Sequence, residues 1–348
     1  MSISDRFAPF RPVVRLRSPA IAGVGLAVAI AIPARLVELA IPPLPGVILA
    51  LAAGVAIRHH GAVAVMTIQP GVRFVLRWVL RSAIVLLGAT LSFGAVIATG
   101  ASTLAIVLAC VAIALGFAFG LGRLFGVTTR TAALIGAGTA ICGGTAIVTV
   151  GPLIRADDDE IAYAITTIFA FNLLAVAAYP FIGHALGLGP LPFGTWAGTA
   201  VNDTAAVVAT GFLYGTAAAT VATIVKLTRT VLLVPLAVAY GVGAAVRDSG
   251  AGPRPPIRQL VLAAMPWFVV LFVLLAVANT AGLVPDIVRH LAEATSKFLI
   301  VVVLAAVGLN VSIPALARRG PRPMLLGFAV AGLLSISSLI LIRLAGIS

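Results

Sequence analysis

Apolar runs, each about as long as one membrane crossing, follow one another along nearly the whole chain and restrict its fold more than any other feature. A helix that crosses the hydrocarbon core needs about 20 apolar residues. The composition agrees, because 61% of the 348 residues are hydrophobic and only 9% are charged, too few to give a globule of this size a polar surface. The chain is therefore predicted to be an all-α, polytopic membrane protein.

The runs predict about nine full spans, near residues 19–39, 44–58, 80–98, 102–122, 158–182, 214–246, 258–280, 297–316 and 323–346. Two further segments, about 130–156 and 190–212, carry glycine-rich motifs and are additional to these spans. We expect one membrane domain over 1–348, with a basic cytoplasmic tail at 1–18, a core at 130–246, and scaffold and partner helices elsewhere.

The net charge of +13 would suggest a nucleic-acid partner in a soluble protein, but here the Lys and Arg residues lie mostly in short connections. These basic connections are 58–81, 123–130, 247–258 and 318–322. The positive-inside rule places them, with the N-terminus, in the cytoplasm of a bacterial cell whose inner membrane the chain crosses several times. Gly100, between the third and fourth predicted spans, is expected outside, and Arg254 inside.

Three arginines recur every four residues ahead of the third predicted span, at Arg73, Arg77 and Arg81. This spacing puts them on one face of a helix. A basic stripe of this kind is expected to lie against anionic lipid headgroups.

One motif occurs twice at a fixed offset. Residues 137–148 read AGTAICGGTAIV and residues 197–208 read AGTAVNDTAAVV, and the register continues without a gap through Gly151 and Gly211 into the helix that follows each copy. Such a repeat of a motif plus a helix indicates an internal duplication. Glycines and small residues inside an apolar run favour a broken helix, which is the usual way to build an ion or substrate site at membrane depth.

Each motif segment could be a broken helix that crosses the bilayer or a re-entrant hairpin that turns back near its middle. Hairpins entering from opposite sides are favoured, because the following helices, about 158–182 and 214–246, are then antiparallel and related by inversion. A second similarity, between GATLSF at 88–93 and GLNVSI at 308–313, also fits an inverted-topology repeat.

The first motif lets the backbone leave the helix at Gly143 and Gly144, which frees N–H groups that can bind an anion. In the second motif Asp203 can cap the next helical leg. As a carboxylate near the middle of the membrane, it can equally carry a coupling proton or bind a coupling cation. Lys226 and Arg229 lie deep in the following helix, and Lys226 is expected either to neutralise Asp203 or to attract an anionic substrate.

The expected substrate site takes residues from both motifs, the following helix and the GLNVSI segment: Thr139, Cys142, Gly143, Gly144, Thr145, Asn202, Asp203, Thr204, Lys226, Arg229 and Asn310. The four histidines do not cluster with carboxylates, and the two cysteines lie far apart in sequence, so neither a metal site nor a cofactor is expected.

Four segments together, GAGTAICGGTAI, WAGTAVNDTAAVVATG, KLTR and MPWF, resemble the YeiH-like sulfate exporter family of prokaryotic membrane proteins over nearly the whole chain. The resemblance implies a secondary transporter distantly similar to the bile-acid/sodium symporter group, with inverted repeats and discontinuous helices in a core that moves against a second domain. The implied substrates are sulfate or sulfite. In that group several spans separate the discontinuous helices, whereas here only one span separates the motifs.

The expected function is secondary transport of a small inorganic anion, most simply export of a sulfur oxyanion, coupled to a proton or sodium. Uptake of bicarbonate or a small carboxylate is the alternative. A membrane-embedded enzyme is disfavoured because the predicted spans hold no His, Ser or metal-ligand constellation. The expected partners are the anion and the lipid bilayer, without nucleic acid, and a homodimer stays open.

Overall fold

The computed structural model describes residues 18–41, 45–59, 65–247, 261, 264–310 and 321–347. These residues are helical without any strand, as the sequence predicts. Within them, six helices are long and apolar enough to cross a membrane: Ala20–Ala40, Phe93–Leu124, Asp158–Ala185, Thr216–Gly243, Asp286–Asn310 and Arg322–Leu344. An all-helical protein with several membrane-length helices is confirmed, while the figure of nine spans stays a prediction.

The helices follow one another as α1 (Ser18–Ala40), α2 (Gly46–His59), α3 (Val65–Phe74), a π-helical turn (Val75–Val79), α4 (Leu80–Gly88), α5 (Phe93–Leu124), α6 (Thr129–Ala140), α7 (Gly144–Leu153), α8 (Asp158–Ala185), α9 (Pro190–Ala200), α10 (Thr204–Tyr214), α11 (Thr216–Val231), α12 (Leu233–Arg247), α13 (Trp267–Thr280), α14 (Asp286–Asn310) and α15 (Pro321–Leu344).

The predicted third and fourth spans, 80–98 and 102–122, are wrong in their boundary. The chain leaves the helix after Gly88, and α5 starts at Phe93, where the Ser92 side chain accepts a hydrogen bond from the N–H of Ala95 at 3.1 Å. That is an ordinary N-cap. Gly100 therefore lies inside α5 and not in a loop. The small and polar residues around it do not end the helix, because the backbone hydrogen bonds continue through them.

Other boundaries agree with expectation to different degrees. The first and last predicted spans coincide with α1 and α15, and 158–182 coincides with α8, which opens on a capping box between Asp157 and Glu160. The predicted span at 214–246 is interrupted at Leu232, between α11 and α12. The tail at 1–17, Arg254 and the second half of the GLNVSI segment, 311–313, lie outside the described residues.

The helices pack in two groups. The scaffold group contains α1–α4, α13 and α14, and its helices approach closely at paired glycines. A methyl group on Gly54 of α2 would lie 2.5 Å from the Ala305 carbonyl of α14, and one on Gly23 of α1 would lie 2.8 Å from the Gly71 Cα of α3. Small residues at such contacts are the usual means of packing helices in lipid, where the hydrophobic effect between helices is absent.

The core group contains α5–α11 and α15. It is tied together by polar contacts between α9 and α15, in which Trp196 Nε1 donates to the Ser335 carbonyl at 3.1 Å and the hydroxyls of Thr199 and Ser338 lie 2.6 Å apart. The core meets the scaffold where α10 contacts α2 and α14 and where α5 contacts α13. The repeated motifs lie wholly within the core group.

Candidate functional site

The first motif folds as a hairpin of two short helices. The helices α6 and α7 run antiparallel, since a methyl group on Gly138 would lie 2.9 Å from the Ile147 side chain, and one on Gly151 would lie 3.8 Å from Leu134. Gly143 makes the turn with a φ of +61°, in the region where side chains other than glycine are strained. The segment therefore returns to the side from which it enters.

The second motif is also a hairpin. The α9 helix ends at Ala200, residues 201–203 are non-helical, and α10 begins at Thr204. Phe193, near the start of α9, stacks on Tyr214, the last residue of α10, with ring centroids 3.6 Å apart and planes 7° from parallel. In a broken helix that crosses the bilayer, these two residues would lie at opposite faces of the membrane, so the contact identifies a hairpin.

The two hairpins lie along opposite halves of α8 and meet at its middle. At the start of α8, Glu160 accepts a hydrogen bond from Thr128 at the base of the first hairpin at 2.7 Å, and near its end Gly183 packs against Phe193 at the base of the second. Asn172, half-way along this helix of 28 residues, accepts hydrogen bonds through Oδ1 from the N–H groups of Asn202 at 3.0 Å and Asp203 at 3.3 Å. The hairpins thus enter from opposite ends of α8, and their tips touch.

Lys226 is fully buried behind both tips. Its ammonium donates to the carbonyls of Ile141 at 2.6 Å and Val201 at 3.2 Å, and also to that of Asn202. Gly198 lets α9 pack closely against α11, the helix that carries Lys226, because a methyl group on Gly198 would lie 2.7 Å from Val225 Cβ. All three N–H groups of the ammonium are therefore used by the carbonyls at the ends of the first legs.

Arg229 acts in the same way one turn further along α11. Its Nε donates to the Ala140 carbonyl, and Nη1 donates to the carbonyls of Thr199 at 2.6 Å and Val201 at 3.2 Å. The last carbonyls of a helix have no partner within it and carry roughly half a negative charge. Arg229 and Lys226 together cap both first legs, α6 and α9, and their two positive charges exceed the partial charges that they cover.

The expectation that Lys226 pairs with Asp203 is not met geometrically. Of the described ion pairs, none joins the two; those present are Arg35–Glu38, Arg289–Asp286 and Lys297–Glu293. Asp203 instead accepts a hydrogen bond from the N–H of Ala205 at 2.8 Å, which confirms it as the N-cap of α10, and it is half-buried. Its carboxylate is therefore held by the helix and not by the lysine.

The second legs present their N-terminal ends to each other. Gly143 is the N-cap of α7 and Asp203 that of α10, and a methyl group on Gly143 would lie 3.5 Å from Asp203 Cα. Beside them Thr145 is exposed, and Gly144 has open space in the direction where a side chain would point. Two helix N-termini that converge in this manner form an anion-binding environment. Such a site can bind an anion without a cationic side chain in contact with it.

Several buried polar atoms around the tips lack a hydrogen-bond partner within the described part of the chain: Thr139 Oγ1, Asn172 Nδ2, Asn202 Nδ2, Asn202 Oδ1 and Arg229 Nη2. Leaving a buried polar group unsatisfied costs about 1–3 kcal/mol. Two of these atoms, the side-chain amide nitrogens of Asn172 and Asn202, are N–H donors next to the paired N-termini, which favours a ligand that accepts hydrogen bonds.

The structure brings most of the predicted residues together at the tips, from Thr139 to Thr145, from Asn202 to Thr204, and at Lys226 and Arg229. Asn310 is separate: it ends α14, is half-buried and makes no hydrogen bond to either tip among the described residues. Sequence reasoning missed Asn172. Its signal was available, since an isolated amide in the middle of an apolar span is costly unless it has a role.

Arg77 and Arg81 stay close together across the π-helical turn Val75–Val79, since their guanidinium groups lie 5.8 and 5.7 Å from the centroid of the same Trp78 ring. Whereas Arg73 and Arg77 are exposed, Arg81 is half-buried, with its guanidinium 5.4 Å from the centroid of the Phe268 ring on α13. Contact of this basic stripe with lipid headgroups stays a prediction.

Fold and site together define a polytopic helical membrane protein with a polar centre built from two re-entrant hairpins, an arrangement consistent with a transporter. The chain belongs to the family described as conserved hypothetical protein 698, whose model matches residues 21–327, and this confirms the family resemblance of the motifs.

The chain matches several proteins that are named membrane proteins, and each match extends over most of the relative's length. It is 35% identical to a UPF0324 membrane protein of Clostridium tetani over 280 residues, which covers 78% of this chain and 81% of the relative. It is 32% identical to one of Fusobacterium nucleatum over 329 residues, 88% and 91% of the two chains, and 34% identical to one of Streptococcus agalactiae over 316 residues, 89% and 92%. No solved structure matches the chain.

Proposed function

We propose that this protein is a secondary transporter, and not an enzyme, that binds a small inorganic anion between the N-termini of α7 and α10 and carries it across the bacterial inner membrane. The observation that carries the proposal is the capping of both first legs by Lys226 and Arg229. Because those cations cover the negative helix ends, the positive end of α7, which has only Gly143 as its N-cap, remains uncompensated, while that of α10 is capped by the single Asp203 carboxylate.

The proposed substrate is an oxyanion of sulfur, sulfate or sulfite. Such an ion accepts hydrogen bonds at several oxygens, and the site offers donors of the matching kind in the first-turn N–H groups of α7 and in the side-chain amides of Asn172 and Asn202. Each helix N-terminus contributes roughly half a positive charge, which is worth most where water is excluded. The family resemblance supports the same class of substrate.

The two hairpin-plus-helix units, 129–185 and 190–231, form the proposed inverted repeat. This is supported by their placement along opposite halves of α8, with the ends of both first legs on Lys226. In this arrangement each side of the membrane has its own approach to the same site, as alternating access requires. The basic connections favour a cytoplasmic N-terminus and a first hairpin that enters from the cytoplasm.

Asp203 is the proposed coupling residue, for a proton or a sodium ion. Its half-buried carboxylate adds a negative charge beside the anion site, so protonation or cation binding there strengthens anion binding, and the reverse follows by linkage. Export is the favoured direction. A membrane potential that is negative inside drives anions outward by about 2.3 kcal/mol per charge for each 100 mV.

The proposal is tested by anion flux into proteoliposomes that contain the purified protein, with sulfate, sulfite, bicarbonate and acetate compared under an imposed pH or sodium gradient. Saturable flux of the sulfur oxyanions, lost in Asn202→Leu, supports it. Bicarbonate or acetate as the preferred ion would support the alternative of a bicarbonate or carboxylate carrier. Absence of flux for all four anions would refute anion transport.

A further inference from the structure

A cavity of about 710 Å³ lies apart from the hairpin tips, at the base of the first hairpin. It opens between the end of α5, the start of α6, the end of α7 and the helix α12. Its lining is Phe119, Gly122, Arg123, Val127, Thr129, Arg130, Ala132, Ala133, Ile154, Ala239, Tyr240 and Gly243. Pockets of roughly 300–1,000 Å³ hold organic ligands, so this cavity is far larger than a sulfate ion needs.

The cavity combines an apolar wall with a basic rim. Phe119, Val127 and Ile154 provide aromatic and branched apolar surface, while Arg123 and Arg130 are exposed. Neither arginine forms an ion pair with a carboxylate among the described residues. This pairing of apolar wall and free guanidinium groups suits an amphiphile with an acidic headgroup.

Tyr240 adds a third element. Tyr240 lines the cavity, and its hydroxyl group is buried without a hydrogen-bond partner among the described residues. An unsatisfied buried hydroxyl is destabilising. A phosphate or ester oxygen of a ligand seated against this wall would supply the missing partner.

The N-terminus of α6 does not contribute to binding the acidic headgroup. Thr128 caps it by accepting from the N–H of Thr131 at 3.2 Å, and Glu160 accepts from both hydroxyls, at 2.7 Å from Thr128 and 3.3 Å from Thr131. That helix end is already satisfied by an anion of the protein itself. The charge available to a headgroup is therefore that of the two arginines.

We propose that this cavity binds one anionic phospholipid, with its phosphodiester group between Arg123 and Arg130, its glycerol region on Tyr240 and part of an acyl chain along the apolar wall. Basic pockets between membrane helices on the cytoplasmic side are suited to acidic headgroups. The basic connection 123–130 is expected on that side, where the anionic lipids of the inner leaflet are available. The lipid would hold the base of the first hairpin against α5 and α12.

The test uses the purified full chain after exhaustive delipidation. Phosphatidylglycerol and phosphatidylcholine of identical acyl chains are titrated, and bound lipid is counted by native mass spectrometry while thermal stability is followed in parallel. The variants are Arg123→Gln with Arg130→Gln, and Tyr240→Phe, which keeps the ring and removes only the hydroxyl. Arg289→Gln is the matched control, since that arginine is half-exposed and lies on α14.

We expect one phosphatidylglycerol to bind more tightly than phosphatidylcholine, and the double variant to lose roughly 30-fold in affinity, at about 1 kcal/mol per arginine. Tyr240→Phe should lose several-fold and Arg289→Gln nothing. Equal binding of the two lipids, or an unchanged double variant, overturns the proposal. So does displacement of the lipid by millimolar inorganic phosphate, which would identify a soluble-anion site. Because the readouts are lipid binding and stability, the result is independent of transport.

Discussion

Replacing Lys226 with methionine removes the ammonium but keeps a side chain of similar length and volume. The loss leaves the Ile141 and Asn202 carbonyls without the donor that now satisfies them, while the Val201 carbonyl keeps its hydrogen bond from Arg229. Breaking a buried charged interaction by removing one partner costs about 3–5 kcal/mol. We therefore expect the ratio of folded to unfolded protein to fall by roughly 150- to 5,000-fold.

The matched control is Lys297→Met. Lys297 pairs with Glu293 at 2.7 Å, and its side chain is 41% exposed, so the change should cost only about 0.3–0.5 kcal/mol. Stability is measured by equilibrium unfolding in mixed micelles, with monodispersity after heating as a second readout. A Lys226→Met protein as stable as Lys297→Met would refute the capping role.

Asp203→Asn separates capping from charge neutralisation. Asparagine is as good an N-cap as aspartate, so this variant should lose little stability. If Lys226 caps carbonyls, the double variant with Lys226→Met is as unstable as Lys226→Met alone. If the two residues mainly balance each other's charge, the double variant regains stability, and the structure-based account of Lys226 is then wrong.

Two further predictions follow from single positions. Gly144→Leu should reduce anion flux at least 10-fold with little loss of stability, because a side chain there meets open space in front of the α7 N-terminus; Gly116→Leu in α5, equally unobstructed, is the control and should transport normally. Leu186→Cys should react with an impermeant thiol reagent in intact cells, because position 186 is exposed at the end of α8 and both native cysteines are buried; labelling only after permeabilisation would reverse the proposed orientation.

The parts of the fold that could be predicted are those that local sequence determines. The motif at 137–148 contains two adjacent glycines, and the chain leaves the helix there with a positive φ at Gly143. Asp203 precedes an apolar run and caps it. Hairpins were favoured over crossing helices for a reason of symmetry, and the stack of Phe193 on Tyr214 agrees with that choice.

The parts that could not be predicted depend on contacts distant in sequence. The break at Gly88 accompanies close packing on Phe272, where a methyl group would lie 2.4 Å from the carbonyl oxygen. For Lys226 the sequence leaves two roles open, neutralising Asp203 or attracting an anionic substrate. Its partners in the structure are backbone carbonyls, which no side-chain pattern reveals. Asn172 binds the tip of the second hairpin, which is about 30 residues away in sequence. Only the fold brings the two together.

The central claim, that the paired N-termini of α7 and α10 hold a sulfur oxyanion, is tested most directly by equilibrium binding. Radiolabelled sulfate is titrated onto the purified protein, with unlabelled sulfite, bicarbonate and acetate as competitors, and wild type is compared with Gly144→Leu and Gly116→Leu. The account predicts saturable binding to wild type and Gly116→Leu, competition by sulfite, and loss of binding in Gly144→Leu. Equal binding by Gly144→Leu, or no saturable binding by the wild type to any of these anions, would contradict it.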